Sequence, residues 1–234
     1  MPTASYAARR SQIETYFDRT AAEAWKRLTS DAPVSGIRAT VRAGREEMRR
    51  TLLSWLPAEM RGARLLDAGC GTGALAIEAA ASRGAEVLAV DLAATLVGLA
   101  GERAQQSFGA GRVEFRVGDM LDPAHGGFDH VVAMDSLIHY RAEDAVRVLA
   151  GFAARTQHSI LFTFAPRTAP LAAMHAVGRL FPRGDRAPAI EPVAETVLRR
   201  LIGGEPLLRG WHVGRTRRIA SGFYTSQAVE LVRS

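Results

Sequence analysis

The 234-residue sequence has one cysteine, Cys70, and one lysine, Lys26. A lone cysteine excludes an internal disulfide and any cysteine-rich metal site, and it suits a reducing compartment. No apolar run reaches the roughly eighteen residues of a membrane-spanning helix. The N-terminal stretch MPTASYAARRSQ also lacks an apolar secretory core. A soluble, cytoplasmic protein is therefore expected. The histidines show no metal-ligand spacing such as H-x-x-x-H, so no protein-bound metal is expected. Internal repeats and low-complexity segments are missing too. The scarcity of lysine leaves twenty-nine arginines and a net charge of +6. GC-rich coding is a sufficient cause, although guanidinium groups also suit bidentate capture of carboxylate or phosphate. The arginines are scattered and form no recognition motif, which argues against a dedicated nucleic-acid binder.

Hydrophobic residues make up 47% of the chain, enough for a sizeable core. Two amphipathic helices open it, one carrying Ile13, Tyr16, Phe17, Trp25 and Leu28, the other Val41, Met48, Leu52 and Leu56, with the turn residues DAPVSG between them and Pro57 as a stop. From Ala63 short apolar runs alternate with helices, the pattern of a parallel sheet. Strands are predicted at ARLLDAG, EVLAVD, VEFRVGD, FDHVVAMD and SILFTFA, and helices at GALAIEAAAS, AATLVGLAGERAQQS and AEDAVRVLAGFAA. The alternation stops after Pro166. A proline-containing insertion over about 166–190 reads as a lid or binding element. A helix at VAETVLRRLIGG and a closing β-hairpin made of WHVGRTRRIA and FYTSQAVELVR end the chain. The expected division is a helical arm or cap over 1–60 and an α/β, Rossmann-like doubly wound domain over 61–234.

The most specific motif is LLDAGCGTG, where a strand runs into Gly69, Gly71 and Gly73 with Asp67 at the strand end. The G-x-G-x-G spacing differs from the dinucleotide pattern G-x-G-x-x-G. An acid inside the strand end suits an ammonium group, which S-adenosylmethionine has and NAD lacks. Asp91, followed by Leu92, ends the second strand and can accept hydrogen bonds from ribose hydroxyls. Asp119 follows the third strand, where it can accept from an adenine amino group, and Met120 can flank the ring. Together these motifs resemble class I S-adenosylmethionine-dependent methyltransferases over about residues 62–165. That resemblance implies a seven-stranded, mostly parallel sheet with an antiparallel C-terminal hairpin.

The flanking stretches YFDRTAAEAWKRL, IRATVRAGREEM, LLSWL, MDSLIHY and FTFAPRTAPLAAMHAVGRLFPRGDRAP are more discriminating. From about Ile13 to Val232 they resemble the magnesium-protoporphyrin IX O-methyltransferase family of (bacterio)chlorophyll biosynthesis. The resemblance implies methyl esterification of one propionate of magnesium-protoporphyrin IX, with catalysis associated with Tyr16 and His139. A neutral His139 is expected to donate to the propionate, Tyr16 to add a second hydrogen bond or seal the site, and Tyr140 to act as a wall. Asp135 is expected to be scaffolding. In the insertion, Met174 and Phe181 fall on one apolar face, and Arg167, Arg179 and Arg183 lie in or beside the same segment, candidates for the unmethylated propionate. Read without the resemblance, Tyr16 is a core residue, His139 a helix cap, the apolar residues sheet packing and the arginines solvated.

A carboxylate acceptor is already anionic at neutral pH, so transfer from a methylsulfonium needs positioning and water exclusion rather than a strong base. Three other readings stay open: an O-methyltransferase for another flat hydrophobic acceptor such as a quinone precursor, a non-catalytic tetrapyrrole-binding protein, and a nicotinamide enzyme, against which the glycine spacing argues. A transient contact with magnesium chelatase and peripheral membrane association are further expectations, the former from the resemblance and the latter from charge and the apolar insertion.

Overall fold

Short β-branched and apolar runs bounded by glycines form seven strands: β1 (Arg64–Ala68), β2 (Glu86–Asp91), β3 (Arg112–Val117), β4 (Phe128–Ala133), β5 (Thr156–Phe164), β6 (Trp211–Ser221) and β7 (Tyr224–Arg233). In this computed structural model, which describes residues 3–20, 29, 36–105, 111–167 and 189–234, they make one sheet of order β3-β2-β1-β4-β5-β7-β6. β1 to β5 pair in parallel, and β7 pairs antiparallel with both β5 and β6. All five expected parallel strands and the closing hairpin are therefore present.

Because successive strand residues face opposite sides, the sheet builds two cores. Leu66, Leu88, Val131, Ile160, Phe162 and Leu231 face one side, while Leu65, Val87, Val132, Leu161 and Ala228 face the other. The first face is covered by α5 (Ala142–Ala153), through Val146, Leu149 and Phe152, and by α6 (Glu195–Gly204), through Leu198 and Ile202. The second is covered by α2 (Gly36–Trp55), through Met48 and Leu52, and by α3 (Ala74–Arg83), through Leu75, Ala76 and Ala79. α4 (Ala94–Ala104) follows β2 and buries Leu96, Val97 and Ala100.

The chain opens with α1 (Ala4–Thr15), which Thr3 caps by accepting the Tyr6 amide at 3.1 Å. This helix starts well before Ile13, where the apolar spacing suggested. It ends in a π-helical turn over Tyr16–Thr20, so Tyr16 and Phe17 sit on a widened turn rather than in a continuous helix. Trp25 and Leu28 lie outside the described residues.

The β6–β7 hairpin runs along α2. Tyr224 packs on the bare backbone of Gly44, Arg217 pairs with Glu47 at 2.7 Å, and Arg215 stacks on Trp55 while donating to its carbonyl at 2.7 Å. Helix propensity and packing make opposite demands at Gly44. Alanine is favoured over glycine by about 1 kcal/mol in a helix interior, but a Cβ there would stand 2.4 Å from the Tyr224 ring, and overpacking costs about 1–3 kcal/mol. Gly44→Ala is thus expected to lower the melting temperature. Gly98→Ala on α4, where an added Cβ meets nothing within 4 Å, is expected to raise stability by about 0.5–1 kcal/mol. Thermal denaturation of both variants checks the pair, and a stabilised Gly44→Ala would refute the packing argument.

Candidate active site

In an open parallel sheet, ligands settle beyond the carboxyl ends of the strands where the strand order reverses. Here that point lies between β1 and β4, the neighbours from which the chain proceeds outward in opposite directions. The loops leaving these two strands meet closely. Gly69 has φ +82, and a Cβ on it would fall 2.4 Å from Ser136 Cβ, so only glycine fits both the conformation and the approach. A cavity of about 1010 Å³ opens at this junction, at the upper end of single-ligand clefts.

Its first wall is the glycine loop. Asp67 is buried, and among the described residues its Oδ2 has no hydrogen-bond partner. Burial, and next the charge of Asp91, push the Asp67 carboxyl up to about 7 against the pull of the Ala76 amide. Asp91 is also pushed up by burial, partly offset by backbone amides. Its Oδ2 accepts the Gly71 amide at 2.8 Å and its Oδ1 the Ala93 amide at 3.0 Å. Leu92 and Met120 line the same space. Gly73 does not. It turns the chain at φ +77 into α3 and lies so close to Phe115 and Ala100 that a Cβ would meet them within 3 Å.

Asp119 lines the cavity but is engaged by α1. Its Oδ1 accepts from the Tyr6 hydroxyl at 2.8 Å and the Leu121 amide at 2.9 Å, and its Oδ2 accepts from Arg10 at 2.7 Å. Burial alone would raise its pKa, but the Leu121 amide, Tyr6 and Arg10 outweigh it and hold the carboxyl below its ordinary value. Tyr6 stacks on Tyr140 with ring centroids 5.0 Å apart, and burial pushes both phenols well up. Neither ring is a source of phenolate at neutral pH. Tyr6 and Arg10 escaped the sequence reading, although Thr3 as a cap and the seven-residue step from Tyr6 to Ile13 were available signals.

The second wall follows β4. His139 closes a single 3-10 turn, Leu137–His139, with Nδ1 3.4 Å from the Ala189 carbonyl. Phe17 meets the His139 ring at 6.0 Å and Tyr16 at 5.2 Å, both edge-on. Tyr16, His139 and Tyr140 all line the cavity. Asp135 sits beneath them in a left-handed conformation, φ 53, and its carboxylate takes Arg45 at 2.5 Å, the Tyr224 hydroxyl at 3.1 Å, Ser226 at 3.2 Å and Thr163 at 3.1 Å. Arg167 is exposed and outside the lining, its amide bonded to the Val193 carbonyl. Met174, Arg179, Phe181 and Arg183 lie outside the described residues.

Comparison with known proteins gives this arrangement a lineage. The family described as "Magnesium-protoporphyrin IX methyltransferase C-terminus" matches residues 133–233, and a general methyltransferase domain matches 65–158. The chain is 48% identical over 98% of its length, and 99% of the relative's, to the magnesium-protoporphyrin O-methyltransferase of Rhodobacter capsulatus. The chain belongs to the magnesium-protoporphyrin O-methyltransferase family. A member from Synechocystis is 30% identical across 95% of both chains. The crystal structure of the Synechocystis PCC 6803 magnesium protoporphyrin IX methyltransferase with bound SAH superposes at a TM-score of 0.83, with 28% identity over 96% of this chain and 99% of that one.

The donor set fits S-adenosylmethionine. The partnerless Asp67 oxygen suits an ammonium group, and Asp91, already held by two amides, keeps lone pairs for a vicinal diol. Asp67 also carries a stability consequence. Between its ordinary value of 3.8 and about 7, the folded chain holds a proton that the unfolded chain has released, so stability falls as pH rises through that window. Asp67→Asn is expected to raise the melting temperature of the ligand-free protein by a few degrees at pH 8, while weakening S-adenosylmethionine binding about tenfold or more. Thermal scans and calorimetry read both effects, and a lower melting temperature with unchanged affinity would contradict this account.

Proposed function

We propose that the chain esterifies a propionate of magnesium-protoporphyrin IX with the methyl group of S-adenosylmethionine, releasing the monomethyl ester and S-adenosylhomocysteine in (bacterio)chlorophyll biosynthesis. The supporting observation is a single cavity lined on one side by the cofactor cradle and on the other by Tyr16, His139, Tyr140 and the α2 face, in a chain of this family. When bound, S-adenosylmethionine supplies a methylsulfonium electrophile. The protein then has to orient a carboxylate and exclude water, for which proximity is worth about 7–11 kcal/mol.

His139 and Tyr16 are the residues we assign to that task. A carbonyl only accepts, so the contact with Ala189 places a proton on Nδ1, and Nε2 donates to the acceptor carboxylate when the ring carries both protons. In this reading the donor is the protonated ring, in place of the neutral donor expected from the sequence. Phe17, wedged between the Tyr16 and His139 rings, couples the π-helical turn to the acceptor position. Tyr140, backed by Tyr6, forms a wall. In this reading the first sixty residues act as a cap, with α1 latched on Asp119 and, through Arg9, on Glu191 at 2.7 Å. The insertion acts as a substrate lid.

Methyl transfer to magnesium-protoporphyrin IX by the purified protein, followed with radiolabelled cofactor beside a quinone-precursor acceptor, tests the reading. Turnover of the porphyrin alone is expected. His139→Ala is expected to lower kcat about tenfold or more and Tyr16→Phe less severely; a His139→Ala enzyme within about threefold of the parent would remove its positioning role. Tight porphyrin binding without product would instead make the chain a carrier.

The product is apolar and anionic, which favours direct handover between proteins and motivates a transient contact with magnesium chelatase and peripheral attachment to membranes. Among the described residues no helix is long and apolar enough to cross a membrane. Co-purification of a chelatase subunit and co-sedimentation with anionic liposomes are the expected results, and a clean negative in either assay removes that contact.

A further inference from the structure

Helix α2 carries arginines at 38, 42, 45 and 49, steps of four, three and four, so all four share one face. All four line the cavity. Two of them already hold protein acids: Arg45 pairs with Asp135 at 2.5 Å and Arg49 donates to Glu78 at 2.7 Å. Arg38, one turn nearer the helix start, is exposed and pairs with no acid among the described residues, and Arg42 beside it is half-buried. One acid, Glu46, shares this wall. The surroundings are apolar. Val41, Met134 and Ile190 line the same space, as does Phe223 of the hairpin turn, 58% exposed. The turn is fixed there, since Gly222 rests on Thr40 so closely that a Cβ would lie 2.3 Å from its hydroxyl.

We infer that Arg38 and Arg42 form the subsite for the second, non-reacting carboxylate of a flat apolar dicarboxylic acceptor. The inference rests on the propionate-esterification reading and adds the residues that make the acceptor's second acid matter. Two guanidinium forks one helical turn apart can converge on a single carboxylate. The apolar rim of Val41, Phe223 and Ile190 receives the disc that bears it and thins the water around the pair. This subsite stands on a helix buttressed by the hairpin, through Tyr224 on Gly44 and Arg217 with Glu47.

The subsite separates a dicarboxylate from a monocarboxylate, and binding reads this without turnover, so its failure is distinguishable from failure of the reaction. Porphyrin fluorescence titrations are made with magnesium-protoporphyrin IX and with a magnesium porphyrin in which one propionate is replaced by ethyl. The wild type is expected to prefer the dicarboxylate about tenfold or more. In Arg38→Gln/Arg42→Gln that preference collapses, while the monocarboxylate and S-adenosylmethionine bind as before. In steady state KM for the porphyrin rises more than kcat falls. Equal weakening of both porphyrins, no weakening of either, or loss of the preference in Arg179→Gln/Arg183→Gln with the α2 variant unaffected would overturn the assignment.

Discussion

The acceptor half of this molecule hangs on one buried carboxylate. Asp135 stands at the end of β4 and gathers donors from β5, β7 and α2: Thr163, Tyr224, Ser226 and Arg45. Those partners are separated from it by 28 to 91 positions in the chain, so the cluster is a long-range clasp rather than a local turn. A buried charge stripped of a partner costs far more than the pair contributes. The four elements are therefore set together or not at all, and the left-handed backbone of Asp135 is tolerated because so many donors define it. Once they are set, α2 lies along the hairpin, its arginine face meets the cavity, and His139 stands two short steps further on.

The cofactor half works under the opposite electrostatic condition. Asp67 is buried, and among the described residues one of its oxygens has no partner, a state that burial and Asp91 both make costly. Structural carboxylates are normally satisfied, so this one marks a place with room for a cation that none of the described residues supplies. Two acids of one cavity are thus treated differently, Asp135 saturated with donors and Asp67 left wanting, which in the proposed reading separates an acceptor wall from a cofactor cradle.

Much of this was legible in the sequence because it is written locally. The parallel strands are apolar runs that end in glycine or acid, and Asp67, Asp91 and Asp119 stand out as carboxylates where such runs stop. What was hidden is carried by distant pairs. Tyr6 and Arg10 acquire meaning only when α1 reaches Asp119, over a hundred positions away. The α2 arginines are camouflaged in a chain where nearly every cation is arginine, and their face is chosen by Gly44, which admits the Tyr224 ring. Asp135 read as mere scaffolding because nothing near it in sequence announces its partners. Of the arginines expected in or beside the insertion, Arg167 is exposed and outside the cavity lining, while Arg179 and Arg183 lie outside the described residues.

The segment after β5 leaves and re-enters the body at almost one point. Pro166 bridges to Val193, the Arg167 amide bonds to the Val193 carbonyl, and the Val193 amide bonds to the Ala165 carbonyl. This short staple makes the intervening stretch a cassette. Its length can change at little thermodynamic cost, since doubling a loop costs only about 0.6 kcal/mol in closure entropy. Neither β5 nor the glycine loop need register the change. Evolution, or an engineer, can exchange that stretch while the glycine loop stays untouched, so the staple marks a seam at which another segment can be grafted.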